Sequence, residues 1–140
     1  MRLLLDTHIL VWAVSHPARL SPAVAAALAH PENQLWFSPI SAWELALLTE
    51  KGRMELATHV SVWMARAVTS LSLREAPLNL AVALESREIR VATSDPADRF
   101  IAATAKVYEA VLVTADSKLR RLRGQEVMFN TSPRQKAIAR

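Results

Sequence analysis

Two short apolar runs constrain the fold of this chain most strongly, because each ends beside an aspartate. Residues 3–5, "LLL", lead directly into Asp6, and residues 111–114, "VLVT", are followed by Asp116. Such short, almost continuous apolar runs are typical of strands buried inside a parallel sheet. Open parallel α/β sheets bind ligands beyond the carboxyl ends of their strands. We therefore expect both aspartates at one edge of a sheet, and in one crevice if the two strands are neighbours.

Helix-start signals separate these runs. Ser21, Ser38 and Asp95 each precede a proline, and a capping residue followed by proline at the first helical position marks the start of a helix. Further segments have strand character, and one segment indicates a short basic helix. The strand-like segments are 34–38, 71–76 and 126–130, and the basic segment is 117–123.

This alternation of strands and helices predicts the fold class. We expect a single-domain α/β/α sandwich with a mainly parallel sheet of about five strands. Residues 1–131 would form the domain, and residues 132–140 a basic C-terminal tail that we expect to be disordered.

Two further acids fall on the inward faces of predicted helices. Glu44 shares a helix face with Ile40 and Leu47, and Asp98 shares one with Ile101. Asp98 also suits a capping role near the helix start. Glu44 lies too far into its helix for capping, so it needs either a buried arginine partner or a cation.

Four inward carboxylates would repel one another and raise one another's pKa unless a cation lay among them. Mg²⁺ or Mn²⁺ prefers oxygen ligands, whereas zinc prefers Cys or His. The chain has no Cys, and its four His show no close paired spacing. The predicted chemistry is metal-assisted hydrolysis of a phosphate ester.

Charge and composition indicate the class of substrate and the compartment. The formal net charge is +4, and a basic cluster, Lys118, Arg120, Arg121 and Arg123, follows Asp116. Such a cluster suits a nucleic-acid backbone, although it is also typical of a solvated surface. The absence of Cys and of any long apolar run predicts a cytoplasmic protein that is not inserted in a membrane.

With these positions in view, the sequence resembles the PIN-domain ribonucleases, and in particular the VapC-type toxins of toxin–antitoxin pairs. The resemblance lies in four motifs that contain Asp6, Glu44, Asp98 and Asp116 in order: "LLLDTHILVW", "SPISAWEL", "DPADRFIAATA" and "LVTADSKL". It implies a five-stranded PIN-like fold and a Mg²⁺- or Mn²⁺-dependent endoribonuclease whose metal ligands and catalytic residues are these four acids. It also implies an RNA substrate, an antitoxin partner and a homodimer.

Several neighbouring residues are candidates for supporting roles. Hydroxyl groups can orient carboxylates or simply cap helices, and Asp95 can bind metal or only cap its helix. Arg99 can contact a phosphate or pair with an acid. These supporting candidates are Thr7, Ser41, Thr114, Asp95 and Arg99.

Two alternatives remain open at this stage. The same fold can serve as a catalytically silent RNA-binding or interaction module, and a nuclease of this type can act on DNA as well. The four tryptophans also suggest a contact surface, because aromatic residues are favoured at interfaces. We expect at least one of them to line the antitoxin groove or a dimer contact.

Overall fold

The computed structural model describes residues 1–131, and the predicted tail at 132–140 lies outside the described residues. A five-stranded sheet forms the centre of the fold, and all four of its strand pairings are parallel. The strand order is β3-β2-β1-β4-β5, so β1 is central and lies beside β4. The strands are β1 (Arg2–Leu5), β2 (Gln34–Phe37), β3 (Arg74–Glu75), β4 (Val111–Thr114) and β5 (Val127–Phe129).

Within residues 1–131, six α-helices connect and cover these strands, as the alternating pattern predicts. They are α1 (Thr7–Ser15), α2 (Pro22–Ala29), α3 (Pro39–Glu50), α4 (Val60–Leu71), α5 (Leu80–Glu88) and α6 (Pro96–Val107). The predicted caps are confirmed, since Ser21, Ser38 and Asp95 each accept a hydrogen bond from a backbone N–H of the first turn. None of the described helices is long and apolar enough to cross a membrane.

The central strands are buried on both faces. Leu3 and Leu5 contribute to a core formed with α1, α2, α3 and α4, whereas Leu4 points to the opposite face. There it joins Leu112 and the buried face of α6, which includes Ala102. Alternate residues of a strand face opposite sides of its sheet, so an apolar run fills both cores. The α/β/α prediction is confirmed.

Two local predictions were wrong in extent. Only Ser117–Leu119 forms a 3₁₀ turn within the predicted basic helix, and Leu122 then pairs with Gln125 around Gly124, whose φ is +73°. The predicted strand at 71–76 is reduced to two residues, because α4 continues to Leu71. At the basic segment the chain turns earlier than its pattern indicates, whereas at 71–76 the preceding helix extends into the predicted strand.

The core makes a direct prediction about stability. Leu112 is fully buried, so Leu112→Ala leaves a cavity and should lower the free energy of unfolding by about 2–5 kcal/mol. Leu84→Ala is the matched control, because Leu84 is 61% exposed on α5 and its loss should change stability by about 0.5 kcal/mol or less. Urea unfolding of both variants measures the difference, and equal effects would contradict this description of the core.

Candidate active site

Asp6 lies at the carboxyl end of β1, where the predicted crevice should be. Its backbone N–H donates to the Val113 carbonyl at 2.9 Å, which extends the pairing of β1 with β4 by one residue. One carboxylate oxygen accepts from the Thr7 backbone N–H at 2.8 Å, so Asp6 caps α1. The other accepts from the Thr114 hydroxyl at 2.6 Å. The side chain is buried and both of its oxygens have a donor.

Thr114 joins the two aspartates that end the central strands. Its hydroxyl oxygen donates to Asp6 and accepts the backbone N–H of Asp116 at 3.0 Å. The Asp116 carboxylate caps the following turn by accepting from the Lys118 N–H at 2.9 Å, and its charge raises the pKa of Asp6. The structure therefore brings Asp6 and Asp116 together, as neighbouring strands require, and gives the predicted supporting residue Thr114 a specific contact.

Glu44 approaches this pair from α3. Burial raises the pKa of its carboxyl; hydrogen bonding to the Thr7 side chain opposes that effect, and the negative charge of Asp6 adds to it. The Thr7 hydroxyl also lies 3.0 Å from that of Ser41, and both residues are fully buried. The two supporting hydroxyls thus connect the start of α1 to the helix that carries Glu44.

Asp98 completes the group from the first turn of α6. It is 8% exposed, and its carboxylate accepts from the Thr93 hydroxyl at 3.4 Å. Thr93 also accepts the backbone N–H of Asp95 at 3.1 Å, and Asp95 caps α6 through the Ala97 N–H. The capping role predicted for Asp95 is therefore present, and its carboxylate also lies close enough to affect both Asp98 and Glu44.

The convergence of these acids has a measurable electrostatic consequence. Burial, followed by the charges of Asp95, Asp116, Asp6 and Glu44, raises the pKa of Asp98 to about 7. All four neighbouring carboxylates act in the same direction, because each opposes a further negative charge. In addition, burial raises the pKa of Asp6 despite its two hydrogen bonds. Perturbed pKa values of this kind cluster at functional sites.

The acids do not form a ready cation cage. Within residues 1–131, no group of three or more His, Cys, Asp or Glu side chains is arranged to hold a metal ion. The carboxylates are thus close enough to repel one another but are not positioned as a set of metal ligands.

Arg99 has a role different from both of those that its charge suggests. Its guanidinium donates to the backbone carbonyls of Ser86 and Ile89 at 2.8 and 2.9 Å, and more weakly to those of Arg87 and Thr93. These contacts satisfy the C-terminal end of α5 and hold the loop that leads to α6. Arg99 therefore positions the loop carrying Thr93, and its hydrogen bonds go to carbonyls rather than to the acids.

The basic cluster lies on the surface just beyond Asp116. All four side chains are exposed, and the Arg120 guanidinium lies 4.5 Å from the centroid of the Phe129 ring. The members of the cluster are Lys118, Arg120, Arg121 and Arg123. A positive surface thus begins where the acidic crevice ends.

Two residues of the site are not predicted by the sequence patterns. Thr93 contacts Asp98 through a loop conformation that no periodic pattern encodes. No pattern in the sequence singles out His8, yet its electrostatic effect lowers the pKa of both Asp6 and Glu44. Its place immediately after "DT" at a helix start is the available signal.

The raised pKa of Asp98 predicts an unusual dependence of stability on pH. Because the folded-state pKa is about 7 and the ordinary value is 3.8, the folded state binds the proton more tightly between these values. Stability is therefore lost as the pH rises from about 4 to 7. Asp98→Asn removes this penalty, so in EDTA it should raise the free energy of unfolding at pH 8 by about 2–4 kcal/mol, and by much less near pH 4.

Urea unfolding at several pH values measures this effect. Glu32→Gln is the control, because Glu32 is exposed on a distant loop and its substitution should leave the pH profile unchanged. If Asp98→Asn destabilises the protein equally at every pH, the electrostatic description of the crevice is wrong.

Comparison with known proteins identifies the family of this chain. The PIN domain family profile matches residues 3–125. Ribonuclease VapC22 of Mycobacterium tuberculosis is 39% identical over 120 residues, which cover 84% of this chain and 88% of that protein.

Solved structures share the fold. One is VapBC2 from Rickettsia felis bound to a DNA fragment from their promoter, with a TM-score of 0.67 and 21% identity over 94% of this chain and 100% of that chain. Another is VapBC-1 from nontypeable Haemophilus influenzae, with a TM-score of 0.60 and 18% identity over 92% and 98% of the two chains. The profile match and the curated relative each cover most of the sequence, and the chain therefore belongs to the PIN-domain family, among its VapC-type members.

Proposed function

We propose that this protein is a metal-dependent endoribonuclease that hydrolyses phosphodiester bonds in RNA, and that it is the toxin of a toxin–antitoxin pair. The observation that supports this most is the convergence of carboxylates around the buried Asp98, whose pKa is raised to about 7 by its burial and by these charges. A site whose acids repel one another stores an unfavourable energy that a divalent cation would remove. The name of the relative from M. tuberculosis is that of a ribonuclease, which favours RNA.

The donor set fits Mg²⁺ or Mn²⁺. Asp6, Glu44, Asp98 and Asp116 would hold the ion through hard oxygen ligands, and the Thr114 hydroxyl and the Thr7 backbone N–H would orient Asp6. When bound, the ion would supply a Lewis acid that activates water and stabilises charge on a phosphoryl oxygen. Zinc is disfavoured, since no Cys is present in the sequence.

The protein's own residues perform the remaining tasks. Thr114 holds the Asp6 carboxylate in one orientation, and the same hydroxyl fixes the backbone of Asp116. Arg99 fixes the loop from which Thr93 reaches Asp98. With a pKa of about 7 in the absence of a cation, the Asp98 carboxyl is also able to hold or release a proton near neutral pH.

RNA backbone contacts are assigned to the basic cluster. Its side chains are exposed and begin two residues after Asp116, which supports contacts with phosphates near the bond to be cut. An RNA substrate also implies action in the cytoplasm.

The antitoxin and the homodimer belong to this proposal through the family resemblance. Exposed apolar groups support a protein contact surface: Trp43, which adjoins Glu44 on α3, is 54% exposed. Large exposed aromatic residues are enriched at interfaces. An antitoxin bound over Trp43 would contact the helix that carries Glu44.

A catalytically silent module and a nuclease that also acts on DNA are the competing functions. The complete set of four acids argues against a silent module. Parallel assays on RNA and on DNA of the same sequence decide whether DNA is also cut.

The proposed chemistry predicts cation-dependent cleavage that requires the acids. Purified protein should cut structured RNA with Mg²⁺ or Mn²⁺ and not with EDTA. Asp6→Asn and Asp98→Asn should each reduce the cleavage rate by at least about 100-fold, because several kcal/mol of transition-state stabilisation depend on the bound ion. Time courses on a labelled RNA and on the DNA of the same sequence measure the rates.

Controls distinguish a loss of catalytic activity from a failure of the variants to fold. Each Asp→Asn variant keeps the size of the side chain, so circular dichroism and thermal melting should show a folded protein. Glu32→Gln should cut as the wild type does. Cleavage that survives both aspartate substitutions, or that persists in EDTA, would disprove the assignment of these acids.

The basic cluster predicts a specific dependence on salt. Arg121→Gln with Arg123→Gln should weaken RNA binding and reduce the slope of log K against log [salt] by about 0.7 for each phosphate that is no longer neutralised. Arg66→Gln is the control, because Arg66 is exposed on α4, away from β4 and the turn after it. Fluorescence anisotropy at several salt concentrations measures the slopes, and an unchanged slope in the double variant would remove the cluster from the binding surface.

A further inference from the structure

A cavity of about 530 Å³ lies between the end of α3 and the start of α4, and none of the four acids of the candidate active site lines it. Its lining combines apolar side chains, Met54, Leu56 and Val60, with the acidic residues Glu50 and Glu55. Ligand pockets in proteins have volumes of about 300–1,000 Å³ and share this combination of apolar walls and a few polar groups. The cavity is therefore large enough to take a side chain of another molecule.

The two glutamates of this cavity have no basic partner within the described part of the chain. Within residues 1–131 the one ion pair joins Lys106 to Glu85, and no Lys or Arg belongs to the cavity lining. His59 also lines the cavity, but its Nδ1 accepts the backbone N–H of Ser61 at 3.2 Å, so this nitrogen carries no proton and the ring adds no positive charge. The cavity is thus negatively charged on a protein whose formal net charge is +4.

The end of α3 adds to this negative charge. Glu50 is the last residue of α3, and the last turn of that helix contains no basic residue. The carbonyl groups at the C-terminal end of a helix carry partial negative charge, so an acid is unfavourable there and a cation is favourable. Thr58, also on the cavity lining, has a buried hydroxyl with no hydrogen-bond partner among the described residues. These groups together favour a cationic hydrogen-bond donor as the occupant.

The face of α3 that leads to the cavity carries an exposed tryptophan. Trp43 is 54% exposed, and it precedes the lining residues Ala46 and Glu50 by three and seven positions. Residues at this spacing share one face of a helix. Seven residues of α-helix span about 10 Å, which is the length of about three residues of extended chain. One extended segment can therefore contact Trp43 and also place a side chain in the cavity.

We propose that this cavity binds an arginine side chain of the antitoxin, about three residues along the chain from an apolar side chain that contacts Trp43. The proposal rests on the function proposed above for the identity of the partner, and it deepens that function by naming the surface and the chemistry of the contact. Arginine suits the cavity better than lysine, because its guanidinium is more weakly hydrated and offers several donors in a fixed plane. The aliphatic part of its side chain would lie against Met54 and Leu56.

Titration of the full chain with Nα-acetyl-arginine amide, followed by ¹H–¹⁵N NMR in EDTA at low salt, tests the cavity. The largest shifts should fall at Glu50, Glu55 and Thr58. Nα-acetyl-citrulline amide has nearly the same shape without the charge, and it should bind at least about tenfold more weakly because hydrogen bonds between charged groups are stronger. Absence of binding, equal binding of the two amides, or shifts confined to the four acids of the candidate active site would overturn the proposal.

A pair of double variants tests whether the charges within the cavity are responsible. Glu50→Gln with Glu55→Gln removes both charges, keeps the size of the side chains and should weaken binding of the arginine amide by at least about tenfold. Glu32→Gln with Glu88→Gln removes the same net charge from exposed positions outside the cavity and should change the affinity less than twofold. Circular dichroism and thermal melting check that both proteins are folded. Equal losses in the two double variants would mean attraction by net charge alone and would overturn the proposal.

The peptide acetyl-Leu-Ser-Ser-Arg-amide tests the contact with Trp43. It should bind at least about fivefold more tightly than the arginine amide, because its leucine buries apolar surface against the indole ring. Trp43→Ala should remove this gain and leave the affinity for the arginine amide unchanged. A gain that survives Trp43→Ala, or no gain in the wild type, would contradict the proposed path along α3.

Sedimentation distinguishes the antitoxin from a second copy of this chain as the occupant. If the wild type self-associates and the variant with Glu50→Gln and Glu55→Gln does not, an arginine of a second copy fills the cavity and the antitoxin assignment is wrong. The same oligomeric state in both proteins supports the antitoxin.

Cleavage by the wild type, measured separately with Mg²⁺, distinguishes this proposal from the proposed function. If the wild type cleaves RNA and does not bind the arginine probes, only the cavity proposal is wrong. If the probes bind at the cavity and the wild type does not cleave, the arginine pocket stands and the nuclease assignment fails.

Discussion

The hydrogen bond between Thr114 and Asp6 is the contact on which the site depends. It joins the ends of the two central strands, and its 2.6 Å length places a buried carboxylate at the edge of the sheet with a fixed orientation. Because β1 and β4 are neighbours in a parallel sheet, the loops after them meet at the same edge, and Asp116 is brought to Asp6 by the fold itself. A strand that is buried on both faces has no place for a carboxylate along its length. The carboxylates therefore follow the ends of the apolar strands, and the charged edge of the sheet results from the burial of those strands.

The acids are held together against their mutual repulsion by the cores on either side of the sheet. Leu45 and Ile101, each at most 1% exposed, anchor the helices that carry Glu44 and Asp98, so packing determines where these carboxylates lie. Burial and the repulsion between the acids together raise the pKa of Asp98. Binding sites are commonly less stable than the rest of a protein for this reason. A bound cation would interact favourably with the same carboxylates and would therefore stabilise the folded protein.

Much of the site is predictable because its main elements follow simple periodic rules. Strand ends locate Asp6 and Asp116, and the period of a helix locates Glu44 and Asp98 on inward faces. The remaining contacts depend on loops, for which no period exists. The charge of Arg99 suggests a phosphate or an acid as its partner, but backbone carbonyls at the end of α5 bind it instead. The composition of the segment after Asp116 predicts a helix, yet its chain turns at Gly124, because pairing of Leu122 with Gln125 replaces helical hydrogen bonds.

Direct measurement of Mn²⁺ binding tests the central claim that these acids hold a cation. A titration with Mn²⁺ at pH 7 is monitored by electron paramagnetic resonance and by the release of protons. The wild type should bind Mn²⁺ and release protons, because the partly protonated Asp98 must ionise. Glu44→Gln should weaken binding by at least about tenfold, whereas Glu50→Gln, an exposed position on the same helix, should bind as the wild type does. Equal binding by Glu44→Gln and the wild type, or no binding by the wild type, would contradict the account.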